Sequence, residues 1–359
     1  VGTFINNDIR LLKRSKAAKS ALIASFLFLF YGLLVFTKGY ENSFMQLFTL
    51  QFLVIFIVLA FILYREKKLW VSFATSRVTK KFRKKIIAIL AFTSLVVFVG
   101  VLRSSIDSLV LASKINLENA AFFAFATYLA SIMQAPFRSI VAITIPILSR
   151  AWKDKDTKEI GRIYQRSSIN LLCFSLFVFI LIWINFSNAI SFFNINPEYL
   201  IGKWVFFIMG LVTIIEMGTG VNSQIIGTST YWRFELWTSL LLTALIIPLS
   251  YTLTVKFGII GPALSNLISF IFYNLVRIWF LWKKFRLQPF TSKTIEVLLF
   301  AALAYFVTYL VFNNNTGLVT MVGSSALFGL LFIAAVYFRN ISPDVKPVIE
   351  SVLKRFSGK

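Results

Sequence analysis

The stretch ASIMQAPFRSIVAITIPILSR, Ala130 to Arg150, is an apolar run that carries an arginine, Arg138, between two prolines, Pro136 and Pro146. In a soluble protein such a run would be buried and the arginine would sit at an edge. In a membrane the same charge would be costly and would need a partner or a wet surface. The rest of the chain decides between them. Hydrophobic residues make up 58% of it and charged residues 14%, and mean hydropathy is +0.80. Apolar runs of the length needed to cross ~30 Å of hydrocarbon, about 20 residues each, recur near 20–38, 45–64, 86–112, 120–148, 169–190, 203–226, 235–255, 259–282, 294–312 and 318–338. None has the alternation of a membrane β-strand. The expected fold class is all-α: a polytopic transmembrane helical bundle of about ten spans.

A formal charge of +23 raises the question of nucleic acid, and its distribution answers it. With the start placed inside, the segments 1–19, 65–85, 149–168, 227–234, 277–293 and 339–359 all face the cytoplasm. They carry 31 of the 37 lysines and arginines. The outward side keeps Lys38, Lys114, Lys203 and Lys256, and Arg103 and Arg138 fall within spans. This is the positive-inside pattern, so the charge orients the chain and attracts anionic membrane lipid, and no nucleic-acid partner is expected. Trp152, Trp232, Trp237, Trp279 and Trp282 fall near inner ends and Trp204 near an outer one, as interfacial aromatics do. Residues 1–30 imitate a signal peptide, but nine further spans make this a membrane helix. Both ends are expected to be cytoplasmic.

The longest polar segment is REKKLWVSFATSRVTKKFRKK, 65–85, with nine basic residues. It reads as a topology anchor and linker, with phospholipid binding as the second reading. Residues 150–168 read as a short amphipathic cytoplasmic helix. The outward loops are too short to hold a catalytic domain, so function is expected among the helices.

The chain has no histidine. That removes Ser–His–Asp machinery, most metal-ligand sets and histidine proton relays. GTGVNSQIIGTST, 218–230, is rich in glycine and serine but lacks the lysine of a phosphate loop. The single cysteine, Cys173, permits no disulfide framework and reads as a small apolar side chain. The expectation is a transporter rather than an enzyme, with no cofactor or metal. Its driving force would be the membrane potential or a proton or sodium gradient.

Charges at membrane depth cost at least ~2.5–3.5 kcal/mol and therefore face partners or wet cavities. Arg138 lies about 16 Å from the inner end near Ser149, counted at 1.5 Å per residue, and Pro136 frees the carbonyl of Ile132. Glu216 lies about 15 Å from the end of its span. The two form either a structural ion pair or a working pair, in which Arg138 holds an anion and Glu216 a proton or cation. The glycines that follow Glu216 suit a span that bends. Arg103 and Asp107 share a helix face at i, i+4, as an interfacial pair or as part of a cavity. Asn222, Asn266 and Asn274 line that cavity or bond between helices. The candidate substrate cavity is thus Arg103, Asp107, Arg138, Glu216, Asn222, Asn266 and Asn274.

The runs SSIDSLVLAS (104–113), YLASIMQAPFRSIVAITIPILSRAWKDKD (128–156) and FGIIGPALSNLISFIFYNLVRIWFLWKKFRLQPF (257–290) resemble the polysaccharide-biosynthesis, O-antigen type flippases. These belong to the multidrug/oligosaccharidyl-lipid/polysaccharide (MOP) exporter superfamily. The residues that carry the likeness are Asp107, the P-x-L/I-S of Pro146 to Ser149, and the G-x-x-G-x-A of Gly258 to Ala263. The resemblance covers roughly 86–290 and implies the two-lobe fold shared with multidrug (MATE) antiporters. Residues 1–64 would be a remnant of the N-lobe, 65–85 the lobe linker, 86–282 a six-helix C-lobe, and 283–359 two extra helices and a tail. About four N-terminal helices of the family pattern are then missing.

The function implied is flipping of an undecaprenyl-diphosphate-linked oligosaccharide across the bacterial inner membrane by alternating access. Glycosyltransferases and a polysaccharide polymerase of the same pathway would be partners. Arg138 and Arg103 would meet the diphosphate or acidic sugars, while Asp107 and Glu216 would tune or couple the cycle. The rival readings are a MATE-type cation antiporter, a membrane-embedded transferase or polymerase, and an inactive transporter remnant.

Overall fold

In the computed structural model, the residues described are 83, 87, 98, 100–103, 105–312, 317–342 and 344. The chain divides into two units, Val1–Ala88 and Ile89–Lys359, and everything that follows concerns the second. The spans expected at 20–38 and 45–64, the start of the one at 86–112, the linker 65–85 apart from Arg83, and the tail beyond Asp344 lie outside the described residues.

The described residues are helical, with no strand among them. Helix α1 covers 105–114 and continues helical positions at 98 and 100–103. It is followed by α2 (Leu117–Ser131), a 3-10 turn (Ile132–Gln134), α3 (Ala135–Lys153), α4 (Thr157–Phe192), a second 3-10 turn (Pro197–Ile201) and α5 (Gly202–Gly218). Then come the short α6 (Asn222–Thr228), α7 (Trp232–Phe257), α8 (Ile260–Phe285), α9 (Ser292–Phe312) and α10 (Leu318–Phe338). Seven helical segments are long and apolar enough to cross a membrane: Leu117–Lys153, Thr157–Phe192, Pro197–Gly218, Trp232–Phe257, Ile260–Phe285, Ser292–Phe312 and Leu318–Phe338. They fall on seven of the ten runs read from hydropathy.

Local chemistry explains most of the boundaries. Asn116 caps α2, its side chain accepting from the Asn119 backbone N–H at 2.7 Å. Asp156 does the same for α4 through Glu159 N–H at 2.9 Å, which satisfies donors that a helix start leaves open. Pro136, in the first turn of α3, cannot donate to the carbonyl behind it. The helix accordingly tightens into the 3-10 turn there. Two corrections to the sequence reading concern length. The run at 150–168 is no separate helix beyond the end of α3: from Thr157 it is the start of the 36-residue α4. The run at 203–226 is not one helix either, because α5 stops at Gly218 and Gly220 turns the chain with φ +62°. A Cβ at Gly220 would lie 2.8 Å from Ser167 Oγ and 2.9 Å from Ser168 N, so this turn is pressed against α4.

Helix α5 occupies the middle, packing on α2, α4 and α8, while α7 and α8 form an antiparallel hairpin. Gly261 lets that hairpin close, since a Cβ there would run into the backbone of Leu253 and Thr254. Helices α9 and α10 pack on each other and on α4. The main core holds Phe123, Met133, Leu176, Phe179 and Phe206. A second cluster at the far end of α4 holds Leu148, Ile160, Tyr164, Ile225 and Leu281.

The outer surface carries many large apolar side chains. Val319 is 86% exposed, Leu117 77% and Leu330 71%, far more oily surface than water tolerates on a single chain. The buried polar groups are mostly hydroxyls, among them Ser168, Ser175, Ser265, Thr254 and Thr308. Several bond back onto their own helix, as Thr308 does to the Ala304 carbonyl at 2.8 Å. Small hydroxyl residues inside and large apolar ones outside are what lipid-facing helices require. The protein is a helical, multi-pass membrane protein.

Candidate functional site

Helix α8 shows how a site is assembled among such helices. Its outward residues include Ile268, Phe272, Leu275 and Trp279, and its buried ones include Asn266, Ser269, Tyr273, Asn274 and Arg277. Spacings of three and four place the buried polar residues on one stripe. The helix is amphipathic in reverse, with its polar face turned into the protein.

Around the lower half of that stripe lies a cavity of about 290 Å³. Its walls include Arg103 of α1, Phe137 of α3, Glu216 of α5, Asn222 of α6, Glu235 of α7, and Tyr273, Asn274 and Arg277 of α8. Arg277 forms an ion pair with Glu235. Its guanidinium also stacks over the Tyr273 ring at 3.8 Å from the centroid and donates to Asn222 Oδ1 at 3.4 Å. Ser223 Oγ donates to Glu235 Oε1 at 2.7 Å. Asn274 Oδ1 accepts from Asn222 Nδ2 at 3.0 Å and from Thr219 Oγ1 at 2.9 Å, which ties the turn after α5 to α8. Arg103 lies 5.8 Å from the Phe270 ring. Glu216 accepts from Gln134 Nε2 at 3.3 Å and feels the charges of both Arg103 and Arg277.

Three polar atoms on the cavity's lining residues have no protein partner among the described residues: Arg277 Nε, Glu235 Oε2 and Gln224 Oε1. A buried polar atom without a partner costs about 1–3 kcal/mol.

Of the residues singled out from sequence, the structure brings Arg103, Glu216, Asn222 and Asn274 to this cavity. Asp107 and Asn266 meet each other elsewhere. Asp107 is buried, accepting from Ser250 Oγ at 2.7 Å and from Asn266 Nδ2 at 2.6 Å, and so bridges α1, α7 and α8. Among the described residues no ion pair joins it to Arg103, although the i, i+4 spacing would allow one.

Arg138 goes to neither place. It is exposed, and it is not among the residues that line the cavity. The pair expected between Arg138 and Glu216 is not formed, and Glu216 bonds to Gln134 instead. The reason is helical rotation. Thr144, Leu148 and Ala151 mark the buried face of α3, and Phe137, seven residues before Thr144, shares it. The next residue, Arg138, is turned by about 100°.

The sequence reading missed Arg277 and Glu235. Arg277 was counted with the cytoplasmic cations at the end of its span, yet it lies eight residues before the end of α8 at Phe285, about 12 Å along the axis. The polar stripe Asn266–Ser269–Tyr273–Arg277 was the available signal. Among the described residues no group of three or more Cys, Asp or Glu side chains could hold a metal ion.

Comparison with known proteins adds little to this geometry. Residues 1–65 match a family model described as a family of unknown function, DUF5687. That match ends before the described residues begin. No curated protein and no solved structure matches the chain.

Proposed function

We propose that the protein is a transporter that moves an anionic, lipid-linked sugar across the membrane, with Arg103 and Arg277 receiving the diphosphate. The observation that carries this reading is a cavity that holds two guanidiniums beside two carboxylates, Glu216 and Glu235, and is walled by helices whose outer faces are apolar. Arginine forks match phosphate oxygens in geometry as well as charge. At about 290 Å³ the cavity lies at the small end of ligand pockets. It suits a diphosphate and the start of a sugar, and the remainder requires the helices to part.

On this reading the end of the bundle rich in Lys283, Lys284 and Arg286 faces the cytoplasm, and the membrane is the bacterial inner one. An undecaprenyl-diphosphate oligosaccharide is the substrate of choice, as the likeness to polysaccharide flippases implies.

A cation antiporter is the second reading, and Glu216 favours it. Glu235 is engaged by Arg277, whereas Glu216 has an amide for its hydrogen-bond partner and no ion pair among the described residues.

Proteoliposomes separate the two. Flipping of a fluorescent short-chain polyprenyl-diphosphate disaccharide is followed by external dithionite, for the native chain and for Arg103→Gln. The flippase reading expects rapid flipping that falls at least about tenfold in the variant, the worth of one charge-assisted contact. Undiminished flipping in the variant refutes the assigned role. No flipping by the native chain, together with proton-coupled uptake of an organic cation abolished by Glu216→Gln, establishes the antiporter.

A further inference from the structure

A second cavity, of about 400 Å³, opens at the opposite end of the bundle from Lys283 and Lys284. It lies between the last turns of α4, the first turn of α5, the end of α9 and the start of α10, and it shares no lining residue with the first. The charged residue on its wall is Lys203. Its ammonium donates to Ser187 Oγ at 3.0 Å and lies 5.0 Å from the centre of the Trp183 ring. Among the described residues no carboxylate pairs with it. An ammonium has three donors, so two remain.

The rest of the wall is rich in hydroxyls and amides, including Tyr305, Tyr309, Asn188 and Ser324. Trp183 Nε1 donates to the Tyr305 oxygen at 3.3 Å, which leaves the Tyr305 hydroxyl proton for another acceptor. Trp204, 58% exposed, packs its ring 5.8 Å from that of Trp183. Exposed tryptophan beside lysine at the end of a span is the signature of the bilayer–water border. The pocket therefore offers one fixed positive charge, several donors and no acid, at the level where lipid headgroups lie.

We propose that this cavity binds a phosphate group, with Lys203 and Tyr305 donating to its oxygens and the Trp183 ring flanking it. The phosphate comes from the phosphodiester of an anionic phospholipid in the adjoining leaflet or from a soluble phosphate. A lipid seated there would tie the α9–α10 pair to α4, the helix that pair packs against. The proposal stands on the membrane reading of the chain and is independent of what the first cavity carries.

The test uses the full chain in detergent and native mass spectrometry, with titrations of phosphatidylglycerol, phosphatidylethanolamine and inorganic phosphate. The variants are Lys203→Gln, Lys203→Arg, Tyr305→Phe and, as a control at the other end, Lys284→Gln. The tightest phosphatidylglycerol-binding step is expected to weaken about tenfold in Lys203→Gln, through loss of one charge-assisted contact. It should weaken by less in Tyr305→Phe and be retained in Lys203→Arg and Lys284→Gln. Lys203-dependent binding of phosphatidylglycerol without binding of inorganic phosphate identifies a lipid headgroup, and the reverse identifies a soluble phosphate. Binding of both probes at native strength by Lys203→Gln and Tyr305→Phe overturns the proposal. Lys203 is half-buried and glutamine can keep the bond to Ser187, so unchanged lipid-free melting is expected to show that the variant folds.

Discussion

Replacing Arg277 with methionine removes a guanidinium from among three partners, Glu235, Asn222 and Tyr273, while keeping most of the volume of its stem. The Arg277 side chain is 4% exposed and that of Glu235 17%, so the change leaves a largely buried carboxylate held by serine hydroxyls alone, Ser223 and Ser239. Breaking one half of a buried pair costs about 3–5 kcal/mol, because the surviving charge has been taken from water without compensation. The lost stacking on Tyr273 adds to this, by up to about 2 kcal/mol when the cation is desolvated.

Replacing both members behaves differently. Arg277→Met with Glu235→Met removes the two desolvation penalties together, and such swaps are often close to neutral. The double variant should thus be more stable than Arg277→Met alone, by at least about 2 kcal/mol. Reversible unfolding in mixed detergent–SDS micelles, run on the two single variants and the double, gives the coupling energy directly. Flipping of the diphosphate probe by the same proteins supplies the functional half: the double variant is expected to fold and to lose transport. Additive costs in the cycle, or an Arg277→Met variant within about 1 kcal/mol of native, would show that the pair is not formed and that the cavity's electrostatics are wrong.

Three further outcomes follow from the packing. Gly261→Ala places a methyl group in the backbone of Leu253 and Thr254; separating the α7–α8 hairpin should cost at least about 1–3 kcal/mol, as overpacking does, read in the same unfolding assay. The Asp344 carboxyl, beyond the last span, is held below the ordinary carboxylate range first by its hydrogen bond from Arg166 and further by Asn170. A depressed value means that the contact is at full strength above the unfolded carboxyl's pKa, about 3.9, and is lost as pH falls through the folded one. Protection against hydrogen exchange at the start of α4, taken relative to the intrinsic amide rate at each pH, should stay unchanged from neutral pH into the mildly acid range and fall below it. Asp344→Asn should remove that step, though a contact this exposed contributes little to global stability. Cys173 is buried and is the chain's single thiol; a maleimide should leave it unmodified in the folded protein and label it on unfolding, and rapid labelling under native conditions would contradict its placement.

Hydropathy alone determined that this is a membrane protein and where seven helical segments long and apolar enough to cross a membrane lie. Those positions follow from one-dimensional requirements: an apolar length matched to the thickness of hydrocarbon, and backbone bonding completed within each segment. Residue chemistry also located the break before Pro136 and the bend after Glu216, since a missing donor and flexible glycines act within a few residues. Which polar side chains meet is a different kind of quantity. It depends on the rotation of each helix about its axis and on which neighbour it faces, and a shift of one residue moves a side chain by about 100°. Depth counting therefore chose Arg138, which turns outward, over Arg277, which turns inward eight residues before the end of its helix. The i, i+4 spacing put Asp107 beside Arg103, whereas Asp107 bonds to Ser250 and Asn266 of the neighbouring helices. The cavity exists because residues spread from Arg103 to Arg277 along the chain meet at one point, and only tertiary packing selects that point.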